Sequence, residues 1–522
     1  MQRIIVTLGL LVSTLHLFGQ QKSPDRYAAR ITAADLKKQL TIVAGPEMEG
    51  RETSTTGQKK AAAYIEGYFK SLGLKPGNES SYQQVFSLFK DSMVSSRLVV
   101  GKDELRYGHD YMMSVRLNNT RAAKAKSVVF AGYGISDSAY NDYENLDVQD
   151  AVVVLALGEP KSGNSYLITG TNQPSSWSLI STKRKAALEK GAVGIFVVSP
   201  RLTNIDSSLA WRLSITDMNL QREPTSDTTL PGVANISRAT FERIFDRAYC
   251  DSILKKFDAY QSFSPADHRK AELDVVFDYA KTAKESGNSS NVIAVLEGSD
   301  KKDEYVFLTA HYDHLGKRNN TIYYGADDDG SGTVSVMEMA EAFARAKADG
   351  NGPRRSIVFM AVSGEEKGLL GSEYYSDHPL FPLEKTTVNL NTDMVGRIDP
   401  KRTTGDSTNY IYVIGDNKLS SDLKPISEAT NHKYTRLELD YKYNDPNDQE
   451  RIYYRSDHYN FARKGVPILF YFSGTHADYH RPTDTVDKIN FGLMRKRVNL
   501  IFNTAWEIAN REEMLKRDLS EP

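Results

Sequence analysis

The second half of the chain alternates short apolar runs with helical patterns, and this alternation restricts the possible folds more than any other feature. Strands that alternate with helices favour a largely parallel sheet covered by helices on both faces, so the sequence predicts an α/β fold. The predicted strands are 292–296, 305–310, 356–362, 388–392, 410–414 and 466–472, and the predicted helices are 333–347, about 419–429 and about 489–512.

Polar residues with metal-binding side chains follow three of these strands directly. His311 ends the run 305–310, Glu365 and Glu366 come just after 356–362, and Asp393 follows 388–392. In open α/β sheets, ligands bind beyond the carboxyl ends of the strands. We therefore expect these four side chains to meet at one edge of the sheet and to form a functional site there.

A triple aspartate, Asp327-Asp328-Asp329, lies between Gly325 and Gly330 in the same part of the chain. Three consecutive carboxylates repel one another, and packing alone gives no reason to assemble them. A bound divalent cation does give such a reason, because carboxylates are hard anionic ligands. This stretch predicts a metal-dependent enzyme.

Two histidines and three carboxylates suit a pair of zinc ions with one carboxylate bridging them, since imidazole favours zinc over calcium or magnesium. The predicted metal ligands are His311, Asp328, Glu366, Asp393 and His480.

Two further acidic residues have predicted roles beside these ligands. Of the adjacent pair Glu365-Glu366, one can bind metal while the other takes a proton from an activated water. Asp313, two residues after His311, can accept the second N–H of a ligand histidine and fix its ring.

The first half of the chain has a different texture. Residues 59–72 predict a helix that Gly73 stops. From about 125 to 270, short apolar strands with few helices form a separate unit. Gly132 and Gly134 do not complete a dinucleotide-binding fingerprint, so no organic cofactor is predicted.

Residues 1–20 resemble a signal peptide, because a basic start and a short apolar run precede a polar stretch. We expect an exported protein, periplasmic or extracellular, without stable membrane insertion. The formal net charge is −1, which gives no electrostatic footprint for nucleic acid. Cys250 is the single cysteine, which excludes an intramolecular disulfide and a multi-thiolate metal site.

These motifs resemble peptidase family M28, a family of zinc peptidases that includes aminopeptidases and receptor-like carboxypeptidases. The similarity extends to Glu49-Gly50-Arg51, and the 125–270 unit resembles an inserted protease-associated domain. The matching motifs are His311-Tyr312-Asp313, Gly325 to Gly332, Ser363 to Ser372, Asn391-Thr392-Asp393-Met394 and Tyr479-His480.

The resemblance implies a role for each site residue. His311 and Asp393 bind one zinc, Glu366 and His480 bind the other, and Asp328 bridges them across a cis peptide bond that follows it. Asp327 and Asp329 then shape the turn. Glu365 is the implied general base. Tyr453 is implied to stabilise the oxyanion. The resemblance favours His480 over His458 as a ligand, so we interpret His458 as a structural residue.

The complete expectation is a mostly parallel, mixed sheet with helices on both faces and an inserted, small β-rich domain. The predicted segments are 1–20 signal peptide, 25–120 and 273–522 peptidase domain, and 121–272 insertion. The predicted function is removal of N-terminal residues from peptides through a water activated by two Zn²⁺ ions.

Three alternatives remain open at this point. They are a carboxypeptidase of the same fold, a glutaminyl-cyclase-like enzyme and an inactive binding protein. A carboxypeptidase would require arginines that grip a terminal carboxylate, for which Arg318, Arg397 and Arg481 are candidates.

Overall fold

The computed structural model describes residues 24–198, 213, 216–221 and 229–520. The described chain divides into two compact units. Unit 1 combines the residues up to Val85 with those from Ser290 onward, and unit 2 comprises Phe86–Ser289. The predicted signal peptide lies outside the described residues.

Unit 1 is built on five strands that we number in chain order. They are β1 (Lys301–His311), β2 (Arg355–Val362), β3 (Thr386–Thr392), β4 (Tyr410–Ile414) and β5 (Ile468–Phe472). Their order in the sheet is β2-β1-β3-β5-β4. The first four strands in this sheet order, β2, β1, β3 and β5, are parallel to one another, whereas β4 runs antiparallel to β5. Residues 292–296 pair antiparallel with β2 at one edge, and Glu438–Asp440 pairs with β4 at the other.

Helices cover both faces of this sheet, as the sequence predicted. Val306 and Leu308 of β1 pack into one hydrophobic cluster, and Phe307 packs into another on the opposite face. This alternation follows from the two-residue period of a strand. The α-helices of unit 1 are Asp25–Ala28, Ala33–Val43, Thr56–Ser71, Gly332–Ala348, Leu370–Asp377, Leu423–Tyr434, His458–Ala462 and Phe491–Asn510.

Shorter elements complete unit 1. Its remaining strands are Lys75–Pro76, Lys317–Arg318 and Thr321–Ile322, and its 3₁₀ turns are Pro46–Met48, Glu365–Lys367, Leu383–Lys385, Lys442–Asn444, Ile452–Tyr454 and Val486–Lys488. Within the described residues, no helix combines the length and the apolar character that a membrane crossing requires.

Unit 2 has its own six-stranded sheet, whose four central strands are parallel. In sheet order its strands are Arg269–Ala271, Val128–Phe130, Val152–Ala156, Gly194–Val198, Gly232–Ile236 and Tyr111–Met113. Its helices are Ile180–Glu189, Arg238–Ile244 and Arg247–Asp258, and its smaller strands are Asp103–Glu104, Arg121–Ala125, Lys161–Ser162, Ser165–Tyr166 and Met218–Asn219.

The boundaries of unit 2 lie outside the predicted insertion of 121–272. Two long strands, Gln83–Val100 and Val275–Leu296, contain the points where the chain enters and leaves the unit. Both strands contain stretches in which polar and apolar residues are mixed, so composition alone did not reveal the full length of these strands. The resemblance of unit 2 to a protease-associated domain stays a prediction.

A buried arginine ties the start of β2 to the end of the last helix. The Arg355 side chain is inaccessible to solvent and pairs with Glu304 at 2.7 Å. It also donates to the carbonyl oxygens of Ile508, Arg511 and Glu512. Its neighbour Arg354 instead forms partly exposed ion pairs with Asp300 and Glu512.

These neighbouring arginines provide a matched test of the fold. Arg355→Met should lower the free energy of unfolding of unit 1 by about 3–5 kcal/mol, because it leaves buried acceptors and a carboxylate without a partner. Arg354→Met should cost about 1 kcal/mol or less, because exposed pairs contribute little. Urea denaturation of the two variants measures the difference, and equal losses would contradict this interpretation.

Candidate metal centre

The carboxyl ends of the parallel strands bring the predicted ligands together, as expected for this topology. His311 is the last residue of β1, and Asp393 follows β3, the neighbouring strand. From β1 the chain continues to β2 on one side and then returns to β3 on the other. The site therefore lies where the order of the strands reverses.

Asp328 lies between two sets of nitrogen donors. Its Oδ1 atom is 3.4 Å from His311 Nε2, and its Oδ2 atom is 3.1 Å from His480 Nε2. Asp393 Oδ2 is 3.6 Å from the same His311 nitrogen, and Glu366 Oε2 is 3.1 Å from His480 Nε2. The two oxygens of one carboxylate thus face two different groups, here called the His311 position and the Glu366 position.

These distances fit bound metal ions. Two nitrogen or oxygen donors about 2.0–2.2 Å from one tetrahedral ion stand about 3.3–3.6 Å apart, close to the observed separations. His311 Nε2, Asp328 Oδ2 and Glu366 Oε1 are buried and have no hydrogen-bond partner among the described residues. Buried polar atoms of this kind need a partner, which a cation at each position would provide.

The histidines and carboxylates of the site shift one another's pKa values. Burial lowers the pKa of His480, but the adjacent carboxylates of Asp328 and Glu366 outweigh it and raise that pKa to about 10. Burial raises the pKa of Glu365 well above its usual value, and the positive charge of His311 acts against that rise. Metal binding must displace the histidine protons, because only neutral imidazole binds a metal ion.

The outer two aspartates of the triple shape the turn, as predicted. Asp329 accepts hydrogen bonds from the backbone N–H groups of His311, Gly332 and Met394. Its ligand atom lies within 4.8 Å of those of His311 and Asp393, but the three N–H groups already occupy its oxygens. Asp327 accepts from the Gly396 N–H, and the Asp328–Asp329 peptide bond is cis, as the resemblance implies.

Asp484 supports the same turn by accepting hydrogen bonds from its backbone. Its carboxylate accepts the backbone N–H groups of Asp327 at 3.0 Å and of Asp328 at 3.1 Å. The Oδ2 atom of Asp327 also lies 3.3 Å from the buried His476 ring. No sequence motif pointed to Asp484, although it follows the predicted ligand His480 by only four residues.

Asp313 lies beside His311 but does not orient it in the predicted way. The Nδ1 atom of His311 donates to the carbonyl oxygen of Asp313 at 3.1 Å, and the carboxylate is 3.8 Å away. That carboxylate instead accepts from the Thr53 hydroxyl and from the Glu365 N–H. Asp313 therefore holds Glu365 as well as the ligand histidine.

The segment around Arg51 holds the loops that carry the site. The buried guanidinium group donates hydrogen bonds to four carbonyl oxygens, and burial lowers its pKa to about 10. The acceptors are those of Val43, Tyr312, Tyr324 and Gly325. The role of Glu49-Gly50-Arg51 is thus structural support for the metal-binding loops.

The pocket in front of the metal centre has an apolar wall and one exposed arginine. Glu365 lines it together with His311, Asp328 and Asp393. Among the described residues, Tyr479 lines this pocket, whereas Tyr453 lines a neighbouring cavity. The other lining residues include Met394, Ile452, Arg455, Phe470 and Phe472.

Two further histidines lie near the site, and the sequence predicted the role of only one of them. His458 is buried, stacks on Phe470 and hydrogen bonds to the Tyr453 carbonyl at 2.8 Å, which agrees with the predicted structural role. His314 was missed. Its ring lies against Glu366. The sequence signal that could have identified it is its position directly after the motif His311-Tyr312-Asp313.

This combination of an α/β sheet and paired histidine–carboxylate groups is suited to binding metal ions at the carboxyl ends of the strands. Residues 291–505 match the model of peptidase family M28. This stretch of the chain is therefore similar to peptidase family M28.

The chain is also similar to individual relatives. The chain is 27% identical over 236 residues to aminopeptidase YwaD of Bacillus subtilis, covering 44% of this chain and 46% of that protein. It is 30% identical over 190 residues to a vacuolar membrane protease of Saccharomyces cerevisiae, covering 34% and 18%. The chain thus spans less than half the length of either relative.

The fold matches that of an aminopeptidase from Aneurinibacillus sp. strain AM-1. The TM-score is 0.53 at 16% identity, and the match covers 96% of this chain and 99% of that one. This likeness confirms the predicted fold class.

The hydrogen bonds from the Asp327–Asp328 backbone to Asp484 predict a testable effect. Asp484→Ala should weaken divalent-metal binding about 10–100-fold, because it removes a group that orients a ligand without touching the metal. Asp487→Ala is the control, since Asp487 is exposed three residues further on. Competition titration with a chromophoric chelator measures the affinity, and unchanged binding in Asp484→Ala would contradict the supporting role.

Proposed function

We propose that this protein is an exported zinc-dependent aminopeptidase whose centre holds two zinc ions bridged by Asp328. The observation that carries the proposal is the placement of the two Asp328 oxygens, one facing His311 and the other facing His480. Imidazole donors favour zinc over magnesium or calcium. His311 and Asp393 would hold one ion, and Glu366 and His480 the other.

Bound zinc would supply Lewis acidity at the scissile carbonyl. The protein's own contribution is proton transfer and positioning. Glu365 lines the pocket, has a side chain only 12% exposed and lies 3.9 Å from His311 Nε2. It takes a proton from the attacking water and returns it to the leaving amine. Asp313 holds Glu365 through its backbone N–H.

The charge of the pocket favours a substrate with a free N-terminus. Asp328, Glu365 and Asp393 line it, against the exposed cation of Arg455. With zinc held by Asp328 and Asp393, Glu365 would be the lining carboxylate left to attract a protonated α-amino group. Of the arginines considered for a carboxypeptidase, Arg397 pairs with Asp478 at 3.0 Å.

The apolar wall supports a preference for apolar N-terminal residues. Met394, Ile452, Phe470 and Phe472 offer hydrocarbon and aromatic surface beside the metal ligands. An apolar side chain buried there gains roughly 25 cal/mol per Å² removed from water. Tyr479 lines the same pocket, and we propose that its hydroxyl, rather than that of Tyr453, faces the developing oxyanion.

Export rests on the signal-peptide pattern of residues 1–20. In the exported form, peptides delivered from outside the cytoplasm are the proposed substrates. No nucleic acid partner is proposed, because acidic and basic residues nearly balance.

Glu365→Gln tests the proton-transfer step. The variant should bind zinc normally but lose about 10²–10⁴-fold in kcat, because glutamine cannot accept the proton. Glu384→Gln, an exposed substitution, is the control and should retain full activity. Steady-state kinetics and metal analysis are the measurements, and a Glu365→Gln variant with normal kcat would show that another residue is the base.

A panel of matched peptides tests the direction of cleavage. Leucyl peptides with a free N-terminus should be hydrolysed faster than glutamyl ones, and N-acetylated forms should resist. Chelation should abolish activity and zinc should restore it. Mass spectrometry of the products reads the cleaved end, and removal of C-terminal residues from N-acetylated peptides would overturn the aminopeptidase proposal.

A further inference from the structure

His314 is a fully buried histidine at the metal centre that the proposed mechanism does not use. It has no solvent-exposed surface, and its ring nitrogens form no well-directed hydrogen bond with the described residues, although Nδ1 lies beside the Glu366 carboxylate. A buried imidazole always carries at least one polar nitrogen that requires a partner. Its environment must therefore supply a proton acceptor or a cation.

The ring faces the Glu366 position. His314 Nδ1 is 2.8 Å from Glu366 Oε1 and 3.8 Å from Asp328 Oδ2. The ligand atoms of these three residues all lie within 4.8 Å of one another. Although the 2.8 Å contact is short, neither atom forms a properly directed hydrogen bond. An ion shared by the two atoms would explain a close approach without a directed hydrogen bond.

The chain around His314 is built to accommodate the ring in this place. Gly325 lies directly against it, and a Cβ atom there would come within 2.5 Å of His314 Cγ. The His314 N–H donates to the Arg51 carbonyl, and the Arg51 side chain holds the Gly325 carbonyl. The ring of His480 lies 5.9 Å away across the same position.

We infer that His314 binds the same metal ion as Glu366 and His480, an inference that rests on the proposed function. The Glu366 position then has four protein donors, His314, Asp328, Glu366 and His480, whereas the His311 position has three, His311, Asp328 and Asp393. A zinc site with four protein ligands is closed, and a site with three keeps a position open to substrate or water. The two ions therefore have different roles, and the open one lies beside Glu365.

Zinc titration of the full-length protein tests this inference. Wild-type protein should hold two zinc ions. His314→Ala and His314→Gln should keep the ion at the His311 position and bind the other about 100-fold or more weakly, beyond the 10–100-fold cost of losing a residue that only orients a ligand. His432→Ala is the control, because His432 is exposed on the helix Leu423–Tyr434.

The conservative variant separates binding from mere positioning. Glutamine retains a hydrogen-bond donor that could hold Glu366, so His314→Gln affinities within tenfold of the wild type at both positions would overturn the inference. X-ray absorption of the two-zinc wild-type protein needs no variant. It should count three imidazoles for two zinc ions, and a count of two would overturn the inference.

The same experiments distinguish this inference from the proposed function. A wild-type protein that binds fewer than two zinc ions overturns both. Two ions in the wild type with unchanged binding in His314→Gln overturn the role of His314 alone.

Discussion

The repulsion among buried carboxylates is the constraint around which unit 1 is arranged. Asp313, Asp327, Asp328, Asp329 and Asp393 are all buried within a short distance of one another. An ionised carboxylate without a partner is costly in such a place. Each one accordingly has a defined partner. Backbone N–H groups neutralise Asp329, whereas Asp328 and Asp393 face histidine nitrogen. The sheet, the tight turn and the N-terminal segment together position both kinds of carboxylate, those that hold the loops and those that face the histidines.

Much of the fold and the clustering of the candidate ligands could be predicted, because both depend on local patterns. Apolar runs gave strands β1 to β5 within a few residues of their observed bounds. The rule that parallel strands present their carboxyl ends at one edge then brought His311, Glu366 and Asp393 together. The family resemblance implied Asp328 as the bridging ligand, and its two oxygens do face both groups.

The parts that sequence reasoning missed depend on contacts between distant segments. Arg51 binds carbonyl oxygens as far away as Gly325, and no local pattern reports such a contact. The Asp313 carboxylate was expected to accept a hydrogen bond from the His311 ring, but it accepts one from the Thr53 hydroxyl instead. Tyr453 and Tyr479 both belong to polar loops, and only packing decides which ring reaches the pocket. His314 escaped notice because one histidine of the motif already satisfied the expected ligand count.

The hydrogen bonds of Arg51 also have a consequence for how the protein is made. The segment up to Val85 belongs to unit 1, yet its partners begin only at Ser290, after the whole of unit 2 has been synthesised. During synthesis, which proceeds from the N-terminus, the buried guanidinium group has no native acceptors in unit 1 beyond Val43 until β1 and the loop after it emerge from the ribosome. The early segment must wait in an unfinished state while unit 2 is completed. A metal centre that depends on both halves of unit 1 is therefore assembled late, after the inserted unit has been made.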